Sequence, residues 1–449
     1  MIWEVIIIKY FDLIFLLVFY NIIPMWTELN IHIAVKIAGT IILSMLFIID
    51  LIRSEPTPVK GFVKGFRLRS LRRGTSLIWI SAASLIPETA IIVMYFCFSD
   101  AGTLTKIFSI VMPVLAIILT FLAGFVRTVI GAKQIKIVDY VFLLIFWWVP
   151  VINLVLIWRF YRKAKREYIF EADKAETENV RAENEICKTK YPIVMVHGIF
   201  FRDWQLMNYW GRVPATLTRN GASVYYGNQQ SALSIPDSAA ELREKILRII
   251  HESGAEKVNI IAHSKGGLDA RYAISTLGLD EYVATLTTIN TPHKGCEMAS
   301  YLLKKVPDGL AAWIAKRYNS MFGILGDKAP DFMAGVRDLC PESVAELESC
   351  MEDSPNVSYR SCMSVMKNAF SAGFPLNAGY LLMKKLNGPN DGLVWTGSAA
   401  HGRFRLIQAK KRRGISHGDM IDLFRENIDG FDVREFYAGI VAELKNEGY

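Results

Sequence analysis

The sequence predicts a mostly parallel α/β sheet domain with flanking helices, preceded by an all-α transmembrane domain. Two observations separate the parts. Apolar runs of membrane-spanning length crowd the first third, and short apolar runs alternating with amphipathic helices fill the rest. A third observation fixes the centre of the sheet domain: KVNIIAHSKGGLDARYA, Lys257 to Ala273, runs from an apolar strand through a tight turn at Ser264 into a helical pattern.

The 449 residues suffice for two domains, each with its own core. A hydrophobic content of 52% and a mean hydropathy of +0.26 exceed ordinary soluble values. The net charge of +8 is unevenly placed: residues 1–166 carry 18 Lys/Arg against 8 Asp/Glu, and the remainder is slightly acidic. Cations flanking apolar runs follow the positive-inside rule for membrane loops and argue against nucleic acid as a partner. Six cysteines do not make a disulfide framework. Reduced thiols are expected, with one bridge among Cys340, Cys350 and Cys362 as the alternative.

Five stretches, about 5–23, 31–52, 76–98, 107–130 and 138–158, approach the roughly 20 residues needed to cross a bilayer. They assign residues 1–158 to a multi-span domain, since a cleaved leader would give one short run. The loop from Arg53 to Arg73 holds seven cations and one acid, which places it in the cytoplasm. Three further crossings would leave the rest of the chain outside, whereas the cations from Arg159 to Arg166 favour the inside. Pro150 and Asn153 make 138–158 either a span or a re-entrant hairpin. The expectation is a multi-pass protein of the cell membrane with an extracytoplasmic C-terminal domain. Lys9, Asp12, Lys36 and Glu88 fall inside apolar stretches, where snorkelling or pairing between helices accounts for them and a functional pathway is the alternative. Residues 159–190 are densely charged, lack Gly and Pro, and read as a solvated helical linker.

The sheet domain, 191–449, follows in order. YPIVMVHGIF (191–200) is a buried strand entering a Gly turn, and YWGRVPATLTRNG (209–221) is a helix stopped by Asn220-Gly221. ASVYYG (222–227) is the next strand. DSAAELREKILRIIHES (237–253) is an amphipathic helix capped near Asp237 and ended by Gly254. The Ser264 segment comes next, then ATLTTINTPHKG (284–295), a strand with a loop at its end. Parallel strands deliver these loops to one edge of the sheet, where α/β folds place their sites.

Ala262-His263-Ser264-Lys265-Gly266 fits the nucleophile elbow G-x-S-x-G with Ala at the first position. The serine there is strained, so its neighbours two residues away must be small. A serine hydroxyl is a poor nucleophile without a base, and the base needs an orienting acid. The elbow goes with the chain order Ser, acid, His. Of seven histidines, only His401 and His417 follow in a late position. His417, in GISHGDMIDLF ahead of an amphipathic helix, is the predicted base, and His401 reads as a surface loop residue. Asp391, in the turn-rich NGPNDGLVWTG, is the predicted acid; Asp419 is too close in sequence to His417 to orient its ring. The oxyanion donors should be main-chain N–H groups. One belongs to Lys265 and the other to Ile199, with Phe200 as the alternative. His197 is read as shaping that loop.

Taken together, YPIVMVHGI, YWGRVPATLTRNGASVYY, KVNIIAHSKGG, TPHKG, NDGLV and SHGDMID resemble the bacterial true lipases, the Pseudomonas, Burkholderia and Bacillus triacylglycerol lipase type. The segments keep the family order and cover most of 191–425. The resemblance implies an α/β-hydrolase fold and carboxylic-ester hydrolysis, with Ser264 as nucleophile, Asp391 as acid, His417 as base, and Ile199 and Lys265 as oxyanion donors. Three departures matter, one being that the segment between TPHKG and NDGLV has no match in the family pattern. The multi-span region is foreign to that family. A structural calcium, held in many members by an Asp two residues after the catalytic His, would fall on Asp419, yet Leu423 stands where a second ligand belongs. No cofactor is therefore expected, with calcium at Asp419 as the exception to check.

The segment at about 297–338 has apolar residues (Leu310, Trp313, Ile314, Met321, Phe322) at helical spacing with Lys316 and Arg317 interleaved. It reads as a mobile amphipathic lid or as a fixed helical cap. The functional expectation is a membrane-anchored serine esterase or lipase acting on lipid or other acyl esters. Acyl transfer or thioester cleavage by the same residues, and a non-catalytic membrane binding or sensor module, are the alternatives.

Overall fold

Apolar length decides the first elements of the protein, seen here in a computed structural model that describes residues 2–54, 65–199, 208–324, 327, 330–410 and 412–449. The chain divides into two compact units, Met1–Asn179 and Val180–Tyr449.

In the first unit α1 (Ile2–Tyr20) and α2 (Ile22–Glu28) are followed by α3 (Ile33–Ile52), α4 (Phe66–Phe98) and α5 (Thr103–Gly131). The last three are each long and apolar enough to cross a membrane, and α1 with α2 forms a pair bent by 61° that passes the same test jointly. The described helices thus offer three candidate spans, or four with the bent pair, beside the five apolar stretches expected from sequence. The stretch at 138–158 is broken: α6 (Ile137–Ile145) ends before Phe146, and α7 (Pro150–Ala182) starts afresh at a proline that has no N–H to continue the earlier helix. Beyond residue 158, α7 runs on through most of the charged stretch as one helix.

Helices α4 and α5 meet backbone to backbone. A Cβ on Gly124 would stand 2.9 Å from the Gly74 carbonyl oxygen and from the Ile78 nitrogen, so only glycine permits this approach. Asp12, one of the charges inside the helices, is ion-paired. Arg73, fully buried, binds Asp12 at 2.6 Å and Asp50 at 2.7 Å, and Arg53 also reaches both. Pairing lets these carboxylates lie out of water, and removing one partner would strand the other. Asn21 donates to Glu88 at 2.8 Å, and Lys36 Nζ donates to the Trp26 carbonyl. The Lys9 side chain, and Lys60 and Lys64 of the basic loop, lie outside the described residues.

In the second unit β1 (Ile193–Val196), β2 (Val224–Tyr226), β3 (Val258–His263), β4 (Val283–Ile289), β5 (Ser358–Ser364) and β6 (Arg403–Ile407) form one sheet in the order β2-β1-β3-β4-β5-β6. Every pairing is parallel. The period-2 alternation of a strand sorts side chains to two faces. Val194, Val196, Ile260 and Ala262 pack with Leu242, Ile246 and Ile274 of α9 (Ile235–Ser253) and α10 (Lys265–Thr276). Ile193, Met195 and Ile261 pack instead with Val213 and Leu217 of α8 (Val213–Arg219) and with Tyr437 and Val441 near the C-terminus. A parallel sheet covered on both faces needs such continuous apolar strands. This is the α/β-hydrolase architecture.

Helix α9 is capped by Ser234, whose hydroxyl accepts the Asp237 N–H, three residues before the Asp237 cap expected from sequence. Between β4 and β5 the chain inserts α11 (Glu297–Lys305), α12 (Asp308–Ile324), α13 (Phe332–Arg337) and α14 (Pro341–Glu348). Met298, Phe322 and Phe332 of this insertion pack with Ile199, Ile235 and Leu268, while Trp313 stays 56% exposed. After β5 come α15 (Leu376–Leu386) and β6, and α16 (Val433–Asn446) closes the unit. The six cysteines are free thiols. Strand order reverses direction between β1 and β3, so their loops open at a switch point, where such sheets leave a crevice.

Candidate active site

Ser264 follows the last residue of β3 and caps α10 with φ 55° and ψ −130°, a region costly for a residue with a Cβ. Two backbone bonds impose it: Ser264 N–H donates to the Ile289 carbonyl at 2.9 Å, and Gly267 N–H donates to the Ser264 carbonyl at 3.1 Å. Gly198 must be bare for the same reason, since a Cβ there would meet the Ser264 Cβ at 3.0 Å.

Asp391 is fully buried. Its Oδ1 accepts the N–H groups of Leu393 and Val394 at 2.9 and 2.8 Å. Its Oδ2 lies 2.7 Å from His417 Nδ1 and accepts Asn290 Nδ2, also at 2.7 Å. A carboxylate facing Nδ1 assigns the ring proton to that nitrogen and leaves Nε2 as the basic one. The His417 N–H donates to the Asp391 carbonyl at 2.9 Å, which locks the two loops together. The structure therefore joins the predicted acid and base directly.

Ser264 approaches that pair through its neighbour. The His263 ring packs against the His417 ring with centroids 4.5 Å apart. Among the described residues the Ser264 hydroxyl makes no hydrogen bond, so its link to Nε2 is not closed here. Such links are often loose until substrate binds. Tyr209 stitches this side together: its hydroxyl lies 2.7 Å from His263 Nδ1 and accepts the Gly198 N–H at 3.0 Å.

Both expected oxyanion donors stand beside the serine in the chain or at the end of β1. Among the described residues neither the Ile199 nor the Lys265 N–H has a backbone acceptor. The Lys265 side chain is engaged elsewhere, donating to Asp269 at 2.7 Å and to Ser238 at 2.8 Å, all three groups buried. Burial pushes the Asp269 carboxyl up to about 6 despite its lysine. Phe200 lies outside the described residues. His197 ties the end of β1 to the Gln229 carbonyl at 2.9 Å, a shaping role.

Asn290, at the end of β4, is the residue that sequence reading missed. It holds the acid through Nδ2 and is itself fixed by Ser364, whose hydroxyl accepts from Nδ2 and whose N–H donates to Oδ1. One other reading changes. His401 is not a free surface residue: its ring stacks on buried His293 at 4.5 Å and meets Asp353 at 3.1 Å. The Asp419 carboxylate is engaged by its own loop. Its Oδ2 accepts the N–H and hydroxyl of Ser416, both at 2.8 Å, and Oδ1 binds Arg413 at 3.1 Å. Among the described residues no group of three or more His, Cys, Asp or Glu could hold a metal.

Residues 188–328 match the family described as "Putative serine esterase (DUF676)". That segment takes in Ile199, Ser264 and Lys265 and stops short of Asp391 and His417. The similarity is to ester hydrolases. A triacylglycerol lipase of Pseudarthrobacter phenanthrenivorans is 33% identical over 169 residues, 35% of this chain and 52% of that protein. One of Burkholderia plantarii is also 33% identical over 169 residues, covering 35% and 47%. The chain thus spans about half the length of these relatives. Among solved structures, a Bacillus licheniformis lipase in its mature form shares 23% identity with a TM-score of 0.41, over 52% of this chain and 88% of that one.

Proposed function

We propose that the protein is a membrane-anchored serine carboxylic-ester hydrolase that cleaves lipid or other acyl esters through Ser264, His417 and Asp391. The observation that carries this reading is the 2.7 Å contact between Asp391 Oδ2 and His417 Nδ1, set beside a strained serine whose neighbour packs on the same imidazole. In the first half-reaction His417 Nε2 takes the Oγ proton as Oγ bonds to the ester carbonyl carbon. The carbonyl electron pair moves onto oxygen, which the N–H groups of Ile199 and Lys265 receive. Collapse breaks the ester C–O bond, and His417 returns the proton to the departing alkoxide. Water then repeats the sequence on the acyl-enzyme: Nε2 takes its proton, the carbonyl–Oγ bond breaks, and Ser264 is reprotonated as the acid leaves.

Three helices of membrane-spanning length support the anchoring, and the similarity to lipases supports an acyl ester as substrate. No metal takes part in this scheme. A fluorophosphonate probe should label the intact protein, and Ser264→Ala should abolish both labelling and ester turnover. Labelling that persists in that variant would sink the proposal. We keep the hydrolase unit on the extracytoplasmic side, where three crossings after the basic loop would leave it; α4 and α5 as the only crossings after that loop would put it in the cytoplasm. In a Cys97→Ser background, exposed Cys350 should react with a membrane-impermeant maleimide on intact cells; reaction only after lysis would reverse the orientation.

A further inference from the structure

Three phenyl rings stand in solvent near the His417 loop: Phe370 is 95% exposed, Phe374 85% and Phe424 69%. Single exposed apolar residues are ordinary, but a cluster is not. Hydrogen bonds and ion pairs tie together the segments that carry these rings. Asn368 Nδ2 donates to the Arg412 carbonyl at 3.1 Å. Arg413 Nε donates to the Ser371 carbonyl at 3.1 Å, and the Gly414 N–H donates to the Ser371 hydroxyl at 3.0 Å. Arg413 also binds Asp419 and Glu426, each at 3.1 Å. The loop of Phe370 and Phe374, the basic run before Gly414 and the segment of Phe424 are thereby fastened together.

Lys410 and Arg412 of the basic run are exposed, whereas the carboxylates Asp419 and Glu426 are paired with Arg413 and Asp422 with Arg212. Exposed aromatic rings on segments tied to a basic run match the interfacial layer of a bilayer rich in anionic headgroups. The same chain carries helices of membrane-spanning length, so a lipid surface is always within reach.

We infer that this face docks on anionic lipid, with the three rings entering the interface and Lys410 and Arg412 meeting headgroup phosphates. The docking depends on surface charge and ring burial alone, so it stands independently of the reaction at Ser264.

The test uses full-length Ser264→Ala protein in nanodiscs of phosphatidylcholine alone or mixed with phosphatidylglycerol, read by hydrogen exchange of residues 368–376 and 421–426. Exchange should slow by about tenfold in the mixed discs and recover at high salt, where exposed charges are screened. Lys410→Glu/Arg412→Glu should remove the protection, and so should Phe370→Ser/Phe374→Ser, while β3 and β4 exchange unchanged. Equal exchange in the two lipid compositions, or protection that survives both charge reversal and high salt, would overturn the inference.

Discussion

The rings of His263 and His417 are tilted at 54° with their centroids 4.5 Å apart, and His263 is anchored in turn by the Tyr209 hydroxyl at 2.7 Å. Burial first, and then the adjacent His417, hold the His263 imidazole well below the usual histidine range. It is a neutral wall beside the base, unable to compete for the proton. Replacing it by leucine should lower kcat on a soluble short-chain ester by about 10–100-fold, because small displacements of a base are costly. KM should change little. An effect on KM alone would assign His263 to substrate binding.

Asp391 is held by four donors, and Asn290 shares its Oδ2 with His417. Asp391→Asn should cost about 10⁴ in kcat, since an amide facing Nδ1 favours the wrong tautomer. Asn290→Ala leaves the carboxylate in place but loosens it, and should cost about tenfold. Steady-state rates of both variants check the order. An Asn290→Ala enzyme with parental kcat would reduce that residue to a packing role.

The turn at Ser264 was legible because a strained serine dictates small neighbours and a strand before it. The pairing of His417 with Asp391 was legible because few histidines lie downstream. β5 was not, since SYRSCMS lacks an apolar run and hides Arg360, which pairs with Glu447 near the C-terminus. β6 is an edge strand, RFRLI, largely exposed and just as polar. Asn290 gave no local signal, because its task is set by two partners, Ser364 and Asp391, some 74 and 101 residues away. The α9 cap was written in the chain as Ser234-x-x-Asp237 but was read one turn late. Hydropathy alone also gave no sign of where α6 ends and α7 begins, because it weighs composition and not the break between helices.

Lys265 and Asp269 form a buried pair on the first turn of the elbow helix. Asp269→Asn strands an ammonium among buried groups and should destabilise the C-terminal unit by about 3–5 kcal/mol. Lys265→Met/Asp269→Leu removes both charges and should recover most of that loss. The double variant keeps the residue 265 backbone N–H, so fluorophosphonate labelling should survive. Thermal unfolding and labelling of the two variants decide the matter. A stable double variant that no longer labels would mean that the Lys265 side chain itself serves the reaction.

His293 gives the fold an acid-sensitive point away from the reacting groups. Burial above all, then the nearby His401 and Arg271, hold its imidazole well below the ordinary 6.5. Above that value the folded and unfolded imidazoles are both neutral and contribute no pH dependence. Below it the unfolded chain takes up a proton that the fold refuses, so stability falls by about 1.4 kcal/mol per pH unit for each such group. Asp269 acts in the opposite sense. Its folded value of about 6 lies above the ordinary 3.8, so its contribution is complete below 3.8 and is lost as pH rises through 6. The two effects separate by variant: His293→Gln should flatten the acid limb while leaving the Asp269 contribution intact. Hydrogen exchange of the β4 amides, followed from about pH 7.5 down to about pH 5, reads the difference directly. Parallel losses in parent and variant would show that His293 takes up its proton within the folded state.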